Sequence, residues 1–163
     1  MAELTTLESK LGEVVGLAMA AQEATQKVKQ LPELEDELAQ KLEQMSEEAA
    51  EAERRGTEIA GGYEGKRTAI LEEARETKSK AKEMLTTYLD EESDALDGFE
   101  FLTMAEAGEV GHWSVLETLN ERARDASIRE YVEWGLPIQQ RHFQDVQLGS
   151  TQLASEKDPQ EVE

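Results

Sequence analysis

At 163 residues, with 17 Lys and Arg against 37 Asp and Glu and a formal net charge of −20, the chain lacks the basic footprint that nucleic-acid binding requires and is repelled by anionic lipid. It contains no cysteine, which excludes disulfides, thiolate chemistry and cysteine-ligated zinc and fits a reducing, cytoplasmic setting. The length suits one domain with a sizeable core, and the scarcity of aromatics (5%) and prolines (three), beside abundant Ala, Glu, Leu, Lys and Gln, predicts an all-α protein.

The N-terminus, Met1-Ala-Glu-Leu-Thr5, has neither the basic region nor the apolar run of a signal peptide. No apolar stretch approaches the roughly 18 residues of a membrane span, so no membrane partner is expected. The first helix is predicted from about Leu7 to Gln30. Thr5 and Glu8 have the spacing of a capping box, in which each side chain satisfies a backbone amide of the other residue. Leu7, Leu11, Val14, Ala18, Ala21, Thr25 and Val28 form its apolar stripe, and Gly12, Gly16, Ala20 and Ala24 form a second stripe of small residues that would let another helix come close.

Pro32 breaks this run and is expected to be the first residue of helix 2. From Leu34 through Leu38, Leu42, Met45, Ala49, Ala52, Gly56, Ile59 and Tyr63 the spacing alternates by threes and fours, a coiled-coil-like seam whose intervening Glu, Gln, Lys and Arg form a solvated face. Gly61-Gly62 then leaves two readings open. The glycines end helix 2, with helix 3 starting near Lys66, or one long or kinked central helix passes through them, since the phase continues through Ile70, Ala74, Thr77, Ala81, Met84 and Tyr88. An unbroken helix from Glu33 to Leu89 would be roughly 85 Å long and would require an oligomer to cover it.

Asp94 is a candidate N-cap for helix 4, which is predicted to run to about Arg122. Ser127 and Glu130 form a candidate capping box for helix 5, predicted to run to about Leu153. The reading is therefore a four- or five-helix bundle over residues 1–153, followed by a disordered acidic tail over 154–163. The seam points to intramolecular or homo-oligomeric packing rather than to a foreign partner, and a homo-oligomer formed through helix packing is expected.

The last two helices carry the chain's only two histidines. Glu106 and Glu109 fall within the apolar face of helix 4 set by Phe99, Leu102, Trp113 and Leu116, with His112 toward its edge. Gln139 and His142 fall within the apolar face of helix 5 set by Ile128, Tyr131, Gly135, Ile138 and Val146. Folding the hairpin about Arg124 puts Glu106 level with His142 and Glu109 level with Gln139, with His112 reaching toward a third helix or the next layer. Pro137 removes the bond to the Glu133 carbonyl and is expected to kink helix 5.

Carboxylates and imidazoles projecting into a bundle core suit Fe, Mn or Zn. Glu109-Val-Gly-His112, and less closely Gln139-Gln-Arg-His142, resemble the Glu-x-x-His motifs of the ferritin-like di-iron and di-manganese carboxylate proteins. The resemblance covers roughly the last 60 residues. It implies a ferritin-like bundle binding iron or manganese through Glu106, Glu109, His112, His142 and Gln139, with oxidase, peroxide-handling, redox-protective or iron-storage chemistry. The chain departs from the family pattern in three ways. Gln139 stands where a Glu is expected, the two motifs lie on consecutive helices, and helix 1 offers only Gln22. A mononuclear site, one completed by another subunit, and a degenerate site that no longer binds metal all stay open. So does the question of enzymatic activity.

The alternative is a non-catalytic helical scaffold or protein-interaction module, in which a buried Glu, His and Gln hydrogen-bond network fixes the register of the hairpin. A glycosidase pair is disfavoured because a narrow bundle offers no sugar cleft. Trp113 and Trp134 read as core or interface anchors, and Arg54-Arg55 as part of a surface paired at helical spacing.

Overall fold

The computed structural model describes residues 2–162, which contain five helices and no strand: α1 (Thr6–Lys29), α2 (Asp36–Gly61), α3 (Arg67–Tyr88), α4 (Ala95–Ala123) and α5 (Ala126–Ser155). Two of the expected starts hold in atomic detail. The Thr5 hydroxyl accepts from the Glu8 amide at 3.2 Å while the Glu8 carboxylate accepts from the Thr5 amide at 2.8 Å. Asp94 and Asp97 make the same reciprocal pair at 2.9 Å in each direction.

Two other starts differ. Pro32 does not open α2, because residues 31–35 form a turn in which Glu33 adopts a left-handed φ of 66°, a conformation that cannot lie inside a right-handed helix. Leu31 and Leu34 use this turn to pack against one end of the core. The cap of α5 is Asp125 rather than Ser127. Arg124 ends α4 with φ 56°, the Asn120 side chain brackets the Asp125 backbone at 2.9 and 3.0 Å, and the Asp125 carboxylate takes the amides of Ser127 and Ile128. The interhelical turn is thereby only two residues long.

The single long or kinked central helix is not formed. α2 ends at Gly61 with Gly62 as its cap, and Gly65, at φ 74°, turns the chain before α3 begins at Arg67. A reversal at this point needs a residue free to adopt positive φ, which glycine supplies. The apolar phase continues across the break because α2 and α3 each bury a stripe against α1, not because they form one rod.

α1, α2, α5 and α4 form a ring in which every neighbouring pair is antiparallel. Gln22 and Gln26 reach Glu53 and Glu43 between α1 and α2, Tyr131 donates to the Ala52 carbonyl between α5 and α2, and Gly98 meets Val28 between α4 and α1. Two hairpins, α1–α2 and α4–α5, are thus joined by one long crossover that contains α3. α3 lies outside the ring, parallel to α1. The small-residue stripe of α1 is what admits it: a Cβ on Gly16 would stand 2.3 Å from the Ala74 carbonyl oxygen, and one on Gly12 would stand 2.7 Å from that of Ile70.

The core has two apolar clusters. One contains Leu11, Val15, Ile70, Leu116 and Tyr131, the other Val28, Leu42, Phe99, Leu102 and Val146. Between them runs a layer of buried polar groups. α5 continues to Ser155, two residues past the expected boundary, and Lys157 pairs with Asp94 at 2.7 Å; Glu163 lies outside the described residues. Among the described residues no helix is long and apolar enough to cross a membrane.

Candidate functional site

The polar layer arises because helical periodicity places Glu106 and Glu109 of α4, and Gln139 and His142 of α5, on the faces their neighbours bury. Glu106 is 1% exposed, His142 4%, and Glu109 and Gln139 6% each. The Gln139 side-chain amide donates to Glu106 Oε2. Imidazole Nδ1 of His142 stands 3.9 Å from the same oxygen. On its other side, His142 Nε2 is 3.1 Å from Glu48 Oε1 on α2. A carboxylate can only accept, so this contact puts the ring proton on Nε2. The Arg141 guanidinium binds both oxygens of Glu48. The network therefore ties α4 to α5 and α5 to α2.

The hairpin register differs by part of a turn from equal-height pairing about Arg124. Gln139 bonds to Glu106, not to Glu109. Residues three apart on a helix share a face and stand about a turn apart, so Gln139 and His142 flank one carboxylate between them. Glu109 is left without a hydrogen-bond or ion-pair partner among the described residues; only burial and the neighbouring Glu106 act on its ionisation. His112 does not join the layer. Its side chain is 40% exposed, with Nδ1 at 3.4 Å from Glu13 and 3.3 Å from Lys10 Nζ on α1.

Burial sets the electrostatics. Loss of water pushes the Glu106 carboxyl up to about 7, against the opposing effect of the Gln139 hydrogen bond. Burial, and then the charge of Glu106, hold Glu109 well above the usual carboxylate range. Burial also lowers the imidazole of His142, although its bond to Glu48 works in the other direction. The inner layer thus leans toward neutral groups that exchange hydrogen bonds.

Of the five residues expected to bind metal, Glu106, Gln139 and His142 converge; Glu109 lines the same layer without bonding to them, and His112 stands apart at the edge of α1. Among the described residues no group of three or more His, Asp or Glu side chains is placed to hold a metal ion. The donor set has the same character. An amide N–H, which cannot ligate, points at Glu106 Oε2, and the protonated nitrogen of His142 faces Glu48. In this arrangement neither nitrogen is free to act as a metal donor.

Sequence reasoning missed Glu48 and Arg141. Glu48 was assigned to the solvated face of helix 2, yet it lies three residues after the seam residue Met45 and one before Ala49, at the edge of the stripe. Trp113 is a core anchor, 4.6 Å between ring centroids from Tyr131, and Arg55 lies 4.1 Å over the ring of Trp134. Comparison with protein-family models, curated proteins and solved structures gives no match to this chain.

Proposed function

We propose that the chain is a ferritin-like helical bundle in which a hydrogen-bond network occupies the position where relatives of that architecture hold metal, and that it acts as a non-catalytic scaffold or interaction module. Two hairpins joined by one long crossover support the architectural part of this reading. The observation that carries the functional part is the amide of Gln139 donating to Glu106, with His142 handing the network on to Glu48. No side-chain nitrogen or oxygen sealed from solvent lacks a partner among the described residues, and Glu106, Gln139, His142 and Glu48 are linked to one another, with Glu109 beside them and outside the network. A closed layer of this kind disfavours a slipped hairpin, because a shift of one turn would leave buried polar groups facing apolar ones.

The test is elemental analysis of untagged protein, as purified and after incubation with Fe(II) or Mn(II), beside thermal melts of Glu106→Ala and His142→Ala. The expected result is less than a tenth of an equivalent of metal in every sample and a lowered melting temperature for both variants. About one equivalent of Fe or Mn, lost in either variant, would overturn the reading.

A further inference from the structure

The flank of α4 that faces α3 carries an open groove, bordered by Glu106 alone of the residues in the hydrogen-bond network. Its floor is α1 (Leu17, Ala20), its walls are α3 (Ala81, Met84) and α4 (Met104, Gly108), and it encloses about 220 Å³. α3 and α4 both lean on α1, which leaves the gap between them. Met84 and Met104 are among the few large apolar side chains that stand exposed, and their flexible thioethers suit a surface that adapts to a guest.

Glu109 belongs to the lining of this groove. It is 94% buried, has no partner among the described residues, and is the one buried carboxyl of the layer in that condition. Since no sealed side-chain oxygen lacks a partner, its carboxyl keeps access to open space. An apolar channel ending at a lone carboxyl is a site for a molecule with an apolar body and a hydrogen-bond-donating head. The net charge of −20 favours a cationic head, and an anionic one would face Glu106 and Glu109 together, with Glu23 also in the lining.

We propose that this groove is a binding site for a small amphipathic amine, with its hydrocarbon body along α1 and its ammonium against Glu109. The ammonium keeps its proton and pairs with the ionised form of the Glu109 carboxyl, the form that burial disfavours. Binding therefore tightens as pH rises toward the range where the amine itself deprotonates. The charged or titratable groups around Glu109 are Glu106 and His112 on α4, Glu23 on α1, Lys82 on α3, and, across the polar layer, Glu48 on α2 and Tyr131 and His142 on α5. The inference does not rest on the proposed function, because Glu109 takes no part in the Glu106–Gln139–His142 network.

The experiment is calorimetric titration of the full chain with octylammonium, octanol and octanoate at mildly alkaline pH, repeated for octylammonium in two buffers of different ionisation enthalpy. The expected result is saturable one-to-one binding of octylammonium, any proton release being read from the difference between the two buffers, and at least tenfold weaker binding of octanol and octanoate. Glu109→Gln should weaken octylammonium at least tenfold. Gly108→Leu is the second variant: a Cβ there meets nothing within 4 Å, so the fold is retained while the added side chain fills the groove and abolishes binding. Octylammonium binding that is absent, or unchanged in both variants, would overturn the proposal. So would octanol binding as tightly, or a concentration-dependent dimer that Gly108→Leu dissociates, which would make the groove an interface between copies.

Discussion

The two flanks of α4 use the same residue types to opposite ends. Toward α5 the helix is closed: Gly135 and Gly149 leave room for the rings of Trp113 and Phe99, and Glu106 is bonded to Gln139 with His142 beside it. Toward α3 it is open: a Cβ on Gly108 would meet nothing within 4 Å, Glu109 has no partner, and His112 is half-exposed. Glycine admits an aromatic ring on one flank and leaves a channel on the other. A carboxyl is satisfied by an amide on one flank and available to a guest on the other. What decides the role of each residue is the neighbour brought to it by the fold.

The sharpest way to break this comparison is Gly135→Ala. The new methyl would stand 2.3 Å from Trp113 Cη2, and that ring is already held against Tyr131. The expected loss is about 3 kcal/mol, read as a lowered urea midpoint with an unchanged slope. A neutral result would mean that this flank is loosely packed.

Next in size is Glu106→Gln, followed as a function of pH. The Glu106 carboxyl is raised from 4.5 to about 7, so the folded chain holds its proton longer than the unfolded one. That stabilising contribution is complete below about 4.5 and is lost as pH rises to about 7. His142, shifted downward, has the opposite sense and loses stability as pH falls below its ordinary value. Glutamine still accepts from Gln139 and cannot ionise. The variant should match the parent in acid and be about 2 kcal/mol more stable in mild alkali, measured by denaturant titration at both pH values. Equal stability in alkali would show that Glu106 stays neutral or well solvated there.

On the open flank the effects are smaller, and one has the opposite sign. Gly108→Ala meets no neighbour and should add about 0.8 kcal/mol through helix propensity, a rise in melting temperature where Gly135→Ala gives a fall. His112→Ala should change stability by less than about 0.5 kcal/mol, because the residue is half-exposed and its contacts on α1 are solvated. A larger loss would place His112 within the load of the core.

The parts that could be read from the sequence are those fixed over a few residues. The Thr5–Glu8 box depends on a spacing of three, Asp94 is a residue type suited to an N-cap, and the small-residue stripe of α1 announced a close neighbour. Gly61-Gly62 could not be decided because periodicity reports which face is buried and not what buries it; α2 and α3 satisfy one phase on the same partner. Glu48 was invisible for a related reason. Its partners lie more than 90 residues away on α5, and nothing local separates a seam-edge glutamate from a solvated one. The inward position of Glu106, Glu109, Gln139 and His142 followed from the helical faces. Their pairing depended on hairpin register, and a fraction of a turn moved Gln139 from Glu109 to Glu106.

The position of α3 has a consequence for how the molecule opens. α1 packs against three helices, whereas α3 rests mainly on α1, with a light contact to α2 and a contact between Tyr88 and Phe101 of α4 at one end, so it can detach without breaking the four-helix ring. Amide hydrogens of α3 should therefore exchange through a partial opening of lower free energy than those of α1, which exchange only when the ring itself comes apart. Because α3 also forms one wall of the groove, that partial opening is the motion that would widen the channel, and a guest held against α1 should slow exchange in α3 more than in any other helix.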